Sequence, residues 1–334
     1  MILPKKITSQ SNLHLVHTSS PVSRADWRSF EAALKKLSGM FPNLRIYDVA
    51  RSELDPRYLS ASEDERLRKF RRAIKKVDWL APIYGGTGCG DIIRRLNKED
   101  LADLKRNRPV VNGFSDTTFL INFLYFKLRL LTFYYTNARG LFDFDNSNLF
   151  FEIIFGKKES YSFREPNYRW LTDAGAPEKD IEGIAIGGNL QTFRDLLDIC
   201  KIKPRSWEDY ILFIEEVGED IENIHRIIIA LDERGVFRHI KALVIGKMDE
   251  KEFGINLNKF NFIFGKKDGG EGYIFEYLLS GVIQERFEKN DPLYILKIEN
   301  LGHGLEKNAL IIPIGGKTII HPNKTIEFQG PFVA

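Results

Sequence analysis

Between residues 13 and 128 short apolar runs alternate with segments of helical period, and this alternation constrains the fold more than any other feature of the chain. Leu13-His14-Leu15-Val16-His17 reads as a first strand, closed by the loop Thr18-Ser19-Ser20-Pro21. Arg24 to Leu37 is helical by period, with Trp27, Phe30, Leu34 and Leu37 on one face. Leu44 to Val49 is a second strand. Glu63 to Lys76 is a charged helix with Ser62 as its N-cap and Glu63 and Asp64 in its first turn. Val77 to Ile83 is a third strand, Asp91 to Arg106 a helix, Pro109 to Phe114 a fourth strand, and Phe119 to about Leu128 a helix. Such alternation predicts a parallel sheet with helices on both faces. Ligands of these sheets sit beyond the carboxyl ends of the strands, and Ser115 falls at one such end.

At 334 residues the chain is long for one core, so two domains are expected. Residues 1–140 form the first, a Rossmann-like α/β domain carrying Ser115. Residues 141–180 change character, with Asp143-Phe144-Asp145-Asn146, Gly156-Lys157-Lys158 and Glu165-Pro166-Asn167, and read as a linker and irregular crossover. Residues 181–334 form a smaller mixed α/β domain. Its strands are expected at Gly183–Ile186, Tyr210–Ile214, Lys241–Gly246, Pro292–Ile298, Ala309–Ile312 and Lys317–Ile320. Its helices are expected at Asn189–Ile199, Ile221–Leu231 and Tyr273–Phe287.

The charge balance, 49 − 46 = +3, is too weak to point to nucleic acid or an anionic membrane as a partner. Two cysteines, Cys89 and Cys200, make no disulfide framework and fit a reducing compartment. No apolar h-region follows the basic start Met1-Ile2-Leu3-Pro4-Lys5-Lys6. No apolar run approaches the ~18 residues of a membrane span. The expected location is therefore the cytoplasm.

Several stretches can carry chemistry. Ser115 lies on a strand-to-helix turn, a geometry that pushes a side-chain oxygen out of a sheet beside backbone N–H groups. Taken alone, Ser115 reads as a helix N-cap. Tyr84-Gly85-Gly86-Thr87-Gly88-Cys89-Gly90-Asp91 follows the third strand and opens a helix, where backbone can approach a ligand and an anion is favoured. Its spacing is not G-x-G-x-x-G, which speaks against a dinucleotide. Ile211-Leu212-Phe213-Ile214-Glu215-Glu216 ends an apolar strand on two acids that period two sends to opposite faces. One can orient a histidine while the other is solvated. His303, in Gly302-His303-Gly304, sits in a loop between apolar strands and by itself reads as exposed. His225 and His239 read as surface residues, and His14 and His17 face opposite ways along a strand. No metal-ligand spacing occurs, so no metal or cofactor is expected. Together Ser115, Glu215 and His303 can supply a nucleophile, an orienter and a base, since a triad is defined by geometry and not by order. The N–H groups of Gly86 and Asp116 would serve the oxyanion.

These motifs resemble the LD-carboxypeptidase family of serine peptidases, which also contains the microcin C self-immunity hydrolases. The matching stretches run from Ser19-Ser20-Pro21-Val22 to Pro313-Ile314-Gly315. Between them lie Tyr58-Leu59-Ser60-Ala61 leading to Arg66, Gly85-Gly86-x-Gly88, Gly113-Phe114-Ser115-Asp116 and Gly187-Gly188-Asn189-Leu190. Leu212-Phe213-Ile214-Glu215-x-Val217-Gly218-Glu219 and Gly302-His303-Gly304 complete the set. The resemblance implies Ser115 as nucleophile, His303 as general base and Glu215 as its orienter, with Gly86 and Asp116 forming the oxyanion hole. It implies a site between two domains, a small peptide substrate and a homodimer. The implied reaction is release of the terminal D-Ala of murein tetrapeptides in cell-wall recycling. The alternatives are hydrolysis of acyl-sulfamoyl adenylates or peptide binding without catalysis. The chain departs from the family at one loop. Carboxypeptidases of the family read Arg-Gly-Gly-Tyr-Gly where this chain has Tyr84-Gly85-Gly86-Thr87-Gly88. The immunity branch also lacks the Arg, but does not usually carry Val217-Gly218-Glu219 after the acid.

Overall fold

The computed structural model describes residues 1–47, 58–171, 175–204, 206–219, 221–248, 292–305 and 308–334. The chain folds as two sheets with helices packed between and around them, the α/β architecture that the alternation predicts. The first sheet has the order β12-β5-β4-β3-β1-β2. Its strands are β1 (Leu13–Val16), β2 (Arg45–Tyr47), β3 (Trp79–Pro82), β4 (Val110–Gly113) and β5 (Thr132–Tyr134), all parallel, with β12 (Ile312–Ile314) antiparallel on the edge. Strand order reverses between β1 and β3, the point where such sheets open a crevice.

The second sheet has eight strands in the order β6-β14-β13-β8-β9-β10-β11-β7. Its parallel centre is β8 (Ile181–Asn189), β9 (Tyr210–Glu216), β10 (Ala242–Met248) and β11 (Tyr294–Lys297). Antiparallel strands β6 (Ser160–Phe163), β7 (Arg169–Trp170), β13 (Lys317–Ile320) and β14 (Ile326–Gln329) flank it. The 141–180 segment is thus more than a crossover. It carries α6 (Ser147–Ile154) and two strands of the second sheet, whose short polar-and-aromatic alternation is easily read as irregular chain. The C-terminal third also gives β12 back to the first sheet.

Helix α1 (Trp27–Met40) buries Phe30 and Leu37, as its period requires. Helix α2 (Glu63–Ala73) starts as read, with Ser62 accepting from the Glu65 N–H. The single helix expected over 91–106 is two, α3 (Cys89–Ile93) and α4 (Lys98–Asn107). Asn97 and Asp100 form a reciprocal capping box that starts α4 afresh, a stronger local signal than the continuing period. The helix expected at Tyr273–Phe287, and Asp48 and Val49 of the second strand, lie outside the described residues.

Helix α5 (Thr118–Leu128) joins the two halves. Residues 118–125 are all buried, because a helix that is apolar all round belongs in an interior. Each fully buried Leu, Ile or Phe there contributes about 1.5–3 kcal/mol. Asn122 adds register. It donates to Gly187 O at 2.8 Å and accepts from the Gly187 N–H at 3.0 Å, while Thr118 Oγ1 accepts from the Asn189 N–H at 3.0 Å. The end of β8 is therefore fixed to the start of α5, one turn from Ser115. Helix α7 (Leu190–Ile199) packs on α5 and starts at Asn189, whose side chain accepts from the Thr192 N–H. Helices α8 (Ile221–Asp232) and α9 (Val236–His239) complete the second half.

Candidate active site

Strand β4 ends at Gly113, and two residues later the chain turns sharply. Ser115 has φ of 59°, in the left-handed region that non-glycine residues avoid. It opens a single 3-10 turn, Ser115–Thr117, that runs into α5. Ser115 Oγ caps neither element. Thr117 closes the turn instead, its hydroxyl accepting from the Phe114 N–H at 2.6 Å. Asn137 brackets the same peptide, accepting from the Phe114 N–H at 3.1 Å and donating to Phe114 O at 3.3 Å. The reading of Ser115 as an N-cap is overturned. Its strained backbone is held by neighbours that leave its own hydroxyl uncommitted to the helix, a pattern found at functional turns.

Strand β9 is buried on both faces, so its two terminal acids are both inside. Glu215 Oε2 lies 2.7 Å from His303 Nδ1, and Glu215 Oε1 accepts from the Tyr134 hydroxyl at 2.8 Å. The His303 ring lies 4.5 Å, centroid to centroid, from Phe114, the residue before Ser115. His303 is not an exposed loop histidine. Its loop, after β11, leans over the end of β4, and Lys247 Nζ donates to Gly304 O at 3.2 Å on the far side.

Glu216 points the other way, as the period requires, but it is not solvated. It is 3% exposed and accepts from Asn189 Nδ2, the Gln191 N–H and the Val217 N–H at 2.8, 2.8 and 2.9 Å. Burial, reinforced by the neighbouring Glu215 charge, pushes its carboxyl up to about 7. The expectation of a solvated acid fails because α7 begins directly over that face and needs an acceptor for its first N–H groups.

The glycine-rich loop after β3 lies against the elbow. A Cβ at Gly85 would meet Ser115 Cβ at 3.1 Å. Gly86 has φ of 96°, and a Cβ there would fall 2.3 Å from Ser20 Oγ, so only glycine fits. Ser20 holds the loop, donating its N–H to Gly85 O at 3.1 Å and accepting from the Thr87 N–H at 3.2 Å. Arg66, fully buried, donates to Thr18 O and Gly88 O at 2.6 Å each, to Ala61 O at 3.2 Å and to Asp91 at 2.9 Å. It ties the β1 and β3 loops together at the switch point. The Asp116 carboxylate accepts from the Cys89 N–H at 2.8 Å. Burial pushes that carboxyl up to about 6, the Ser19 and Cys89 donors limiting the rise. Among the described residues neither the Gly86 nor the Asp116 N–H has a hydrogen-bond acceptor. Burial, with Asp116 adding, pushes the Cys89 thiol well up, which disfavours a thiolate.

A cavity of about 570 Å³ opens here, lined from both halves of the chain by Ser115, His303, Gly86, Asp116, Glu216 and Arg139, among others. Tyr84 donates to Asp26 Oδ2 at 2.5 Å, and Arg139 pairs with the other oxygen of Asp26. Burial opposes ionisation of Asp26, yet Tyr84, Ser23 and Arg139 outweigh it and hold its carboxyl below the usual range. Of the other histidines, none lines this cavity among the described residues, and His17 is buried just beyond the end of β1. His14 Nδ1 is 2.6 Å from Ala73 O, His225 and His239 are exposed, and His321 sits between Asp180 and Glu327.

Residues 13–135 match the model of the LD-carboxypeptidase N-terminal domain, and residues 182–320 that of the C-terminal domain. The chain belongs to the LD-carboxypeptidase family. A putative carboxypeptidase of Treponema pallidum (strain Nichols) is 28% identical over 283 residues, 78% of this chain and 81% of the relative. Among solved structures, the microcin C7 self-immunity protein MccF in complex with aspartyl sulfamoyl adenosine superposes with a TM-score of 0.76 at 19% identity over 100% of both chains. Muramoyltetrapeptide carboxypeptidase from Oxalobacter formigenes superposes with a TM-score of 0.69 at 22% identity, over 96% of this chain and 99% of that one. At these identities the two structures speak for the fold. Membership makes the chain a peptidase-family protein. Among the described residues, no helix is long and apolar enough to cross a membrane.

Sequence reasoning missed Tyr134, Asn137 and the Asp26–Arg139 pair. Asn137 and Arg139 lie just beyond a strand end in Thr136-Asn137-Ala138-Arg139, a position that could have drawn attention to them. Tyr134 carries no such signal, because a tyrosine closing a three-residue apolar strand looks like core.

Proposed function

We propose that this protein is a serine-type LD-carboxypeptidase that cleaves an L-to-D amide bond and releases the terminal D-Ala of murein tetrapeptides in cell-wall recycling. The observation that carries the reading is the 2.7 Å contact between His303 and the buried Glu215, in the same cavity as Ser115 on its strained turn. In this reading Glu215 fixes the imidazole with Nδ1 protonated, so that Nε2 accepts the Ser115 proton as Oγ attacks the scissile carbonyl. The N–H groups of Gly86 and Asp116 stabilise the oxyanion, and a preorganised donor of this kind is worth about 3–4 kcal/mol. His303 then returns the proton to the leaving amine, and water hydrolyses the acyl-enzyme by the same relay. A small peptide is the substrate, and nucleic acid and membrane play no part. A homodimeric, cytoplasmic protein completes the proposal.

A second reading has its own support. The immunity branch also lacks the Arg that Tyr84 replaces in the carboxypeptidase loop, so an immunity-type hydrolase of acyl-sulfamoyl adenylates is the alternative. Incubating the protein with a murein tetrapeptide, and separately with an aminoacyl-sulfamoyl adenosine, separates the two. Release of D-Ala supports the first, and release of the amino acid from the adenylate supports the second. Tight binding without turnover of either would leave a non-catalytic binding protein and sink both.

A further inference from the structure

Tyr134 is used by neither the nucleophile nor the base, yet it is almost fully buried against the catalytic constellation. It ends β5, the strand beside β4, and its ring lies 5.4 Å from Phe114. Its hydroxyl donates to Glu215 Oε1 at 2.8 Å. The Ser115 backbone faces the same hydroxyl and favours its ionised form, while burial and Glu215 outweigh that and push it well above the usual phenol range. The other Glu215 oxygen takes the His303 Nδ1 contact. One tyrosine therefore bridges the nucleophile's elbow and the acid that orients the base. The fold makes room for it at a cost. Gly188 has φ of 132°, and a Cβ there would fall 2.6 Å from the Tyr134 ring and 2.7 Å from Thr118 Oγ1. The Gly187-Gly188 pair is thus explained in part by the ring it admits.

We propose that Tyr134 is a positioning residue of the reaction, holding Glu215 by one oxygen so that the other is aimed at His303. A fully buried carboxylate with two oxygens needs a donor on each, since an unpaired buried charge is costly and free to rotate toward whatever donor it finds. In the proton transfer Ser115 Oγ gives its proton to His303 Nε2, Nδ1–H stays donated to Glu215 Oε2, and Tyr134 keeps its own proton throughout. Other charged groups nearby are Glu216 on β9, Lys247 on β10, whose Nζ reaches Gly304 of the His303 loop, and Asp195 and Glu219, which line the same cavity. All are unchanged when only the hydroxyl is removed. Loss of that donor leaves the Glu215 charge less stabilised, so the Glu215–His303 pair holds a proton more tightly. The acid limb of the pH–rate profile then moves to higher pH.

The inference rests on the nucleophile reading above, so the test must fail separately from it. The whole chain is treated with a fluorophosphonate probe, and the rate of Ser115 labelling is followed from pH 5 to 9 for wild type and Tyr134→Phe, alongside the thermal midpoint. A charge-assisted hydrogen bond of this kind corresponds to about a 10- to 100-fold loss of labelling rate. An acid limb displaced upward, at a nearly unchanged thermal midpoint, supports the proposal. Labelling within twofold of wild type, or a lower rate with a lower midpoint and an unmoved acid limb, overturns it in favour of simple packing. Wild-type protein that fails to label at all takes down the nucleophile reading, and this proposal with it. Should Tyr134→Phe not fold, 3,5-difluorotyrosine at position 134 keeps the shape and strengthens the donor. The acid limb should then move to lower pH, and an unmoved or raised limb refutes the role.

Discussion

The two adjacent acids of β9 give the sharpest test of the proposed mechanism. Glu215→Gln preserves shape but replaces two accepting oxygens by one oxygen and one NH₂ group. Glu215 now accepts from His303 Nδ1 on one side and from Tyr134 on the other. If the amide oxygen stays on His303, the amide NH₂ must face the tyrosine hydroxyl, which has to turn and accept. The imidazolium of the transition state then loses its counter-charge. If the amide turns over, its NH₂ faces Nδ1 and the ring is driven into the tautomer with its proton on Nε2, where it cannot accept from Ser115. Both outcomes act on the chemical step, and removing the triad acid's charge costs about 10³- to 10⁴-fold in kcat, or about 4–5 kcal/mol. KM should change little. Glu216→Gln is a different perturbation. It deprives one of three donors of its acceptor, since Gln191 N–H and Asn189 reach different oxygens. It also removes a charge that burial resists. Losing one hydrogen bond costs about 1–2 kcal/mol, while removing the buried charge relieves a penalty on the order of 3 kcal/mol at and above pH 7, so stability there should hold or rise slightly. The α7 start lines the cavity, so kcat should drop by about tenfold at most. Steady-state kinetics of both variants on one substrate decide the matter. Equal losses, or the larger loss at Glu216, would refute the assignment of Glu215 as the orienter.

Ser115→Ala should abolish turnover while the thermal midpoint stays near wild type, because Ser115 Oγ caps no helix. Ser115→Gly should be equally inactive but more stable by about 1 kcal/mol, through relief of the left-handed backbone, and residual activity in either removes Ser115 as nucleophile. Gly86→Ala should lose both stability and activity, since its methyl would fall on Ser20 Oγ at a φ of 96°, and an unchanged denaturation midpoint would contradict the observed loop. Stability should fall as pH rises from about 4 to 7. Asp116 and Glu216 have carboxyls raised to about 6 and about 7 from 3.8 and 4.5, so the unfolded chain ionises first and the folded state is penalised by on the order of 3 kcal/mol for each. Urea midpoints between pH 4 and 8 check this, with Asp116→Asn flattening its share, and a midpoint that climbs over that range would reverse the sign.

What the chain disclosed before folding follows from the range of the forces involved. The parallel order of β1, β3 and β4, the cap at Ser62 and the acids of β9 are local patterns, because period and capping act within a few residues. The break at Asn97 was equally local, but a reciprocal capping box competes with helical period only when both partners are weighed. Ser115 in isolation is ambiguous for the opposite reason. A serine at a strand-to-helix turn has two possible jobs, and only Thr117 and Asn137, the latter 22 residues away in sequence, decide that capping is done without it.

Glu216 shows why alternation cannot stand in for burial. Period two separates it correctly from Glu215, but says only that the two acids face different ways and nothing about what covers each face. The second face is covered because Asn122 and Thr118 of α5 fix the end of β8, and β8 in turn launches α7 across β9. That chain of contacts runs from the first half of the sequence to the second, and each link is a hydrogen bond to a backbone group with no pattern of its own. The same links set Gly188 against Tyr134 and so put a buried hydroxyl on Glu215. A residue whose role is to hold another in place is therefore invisible in its own neighbourhood. It becomes legible only when the strands that carry the two partners are seen to meet.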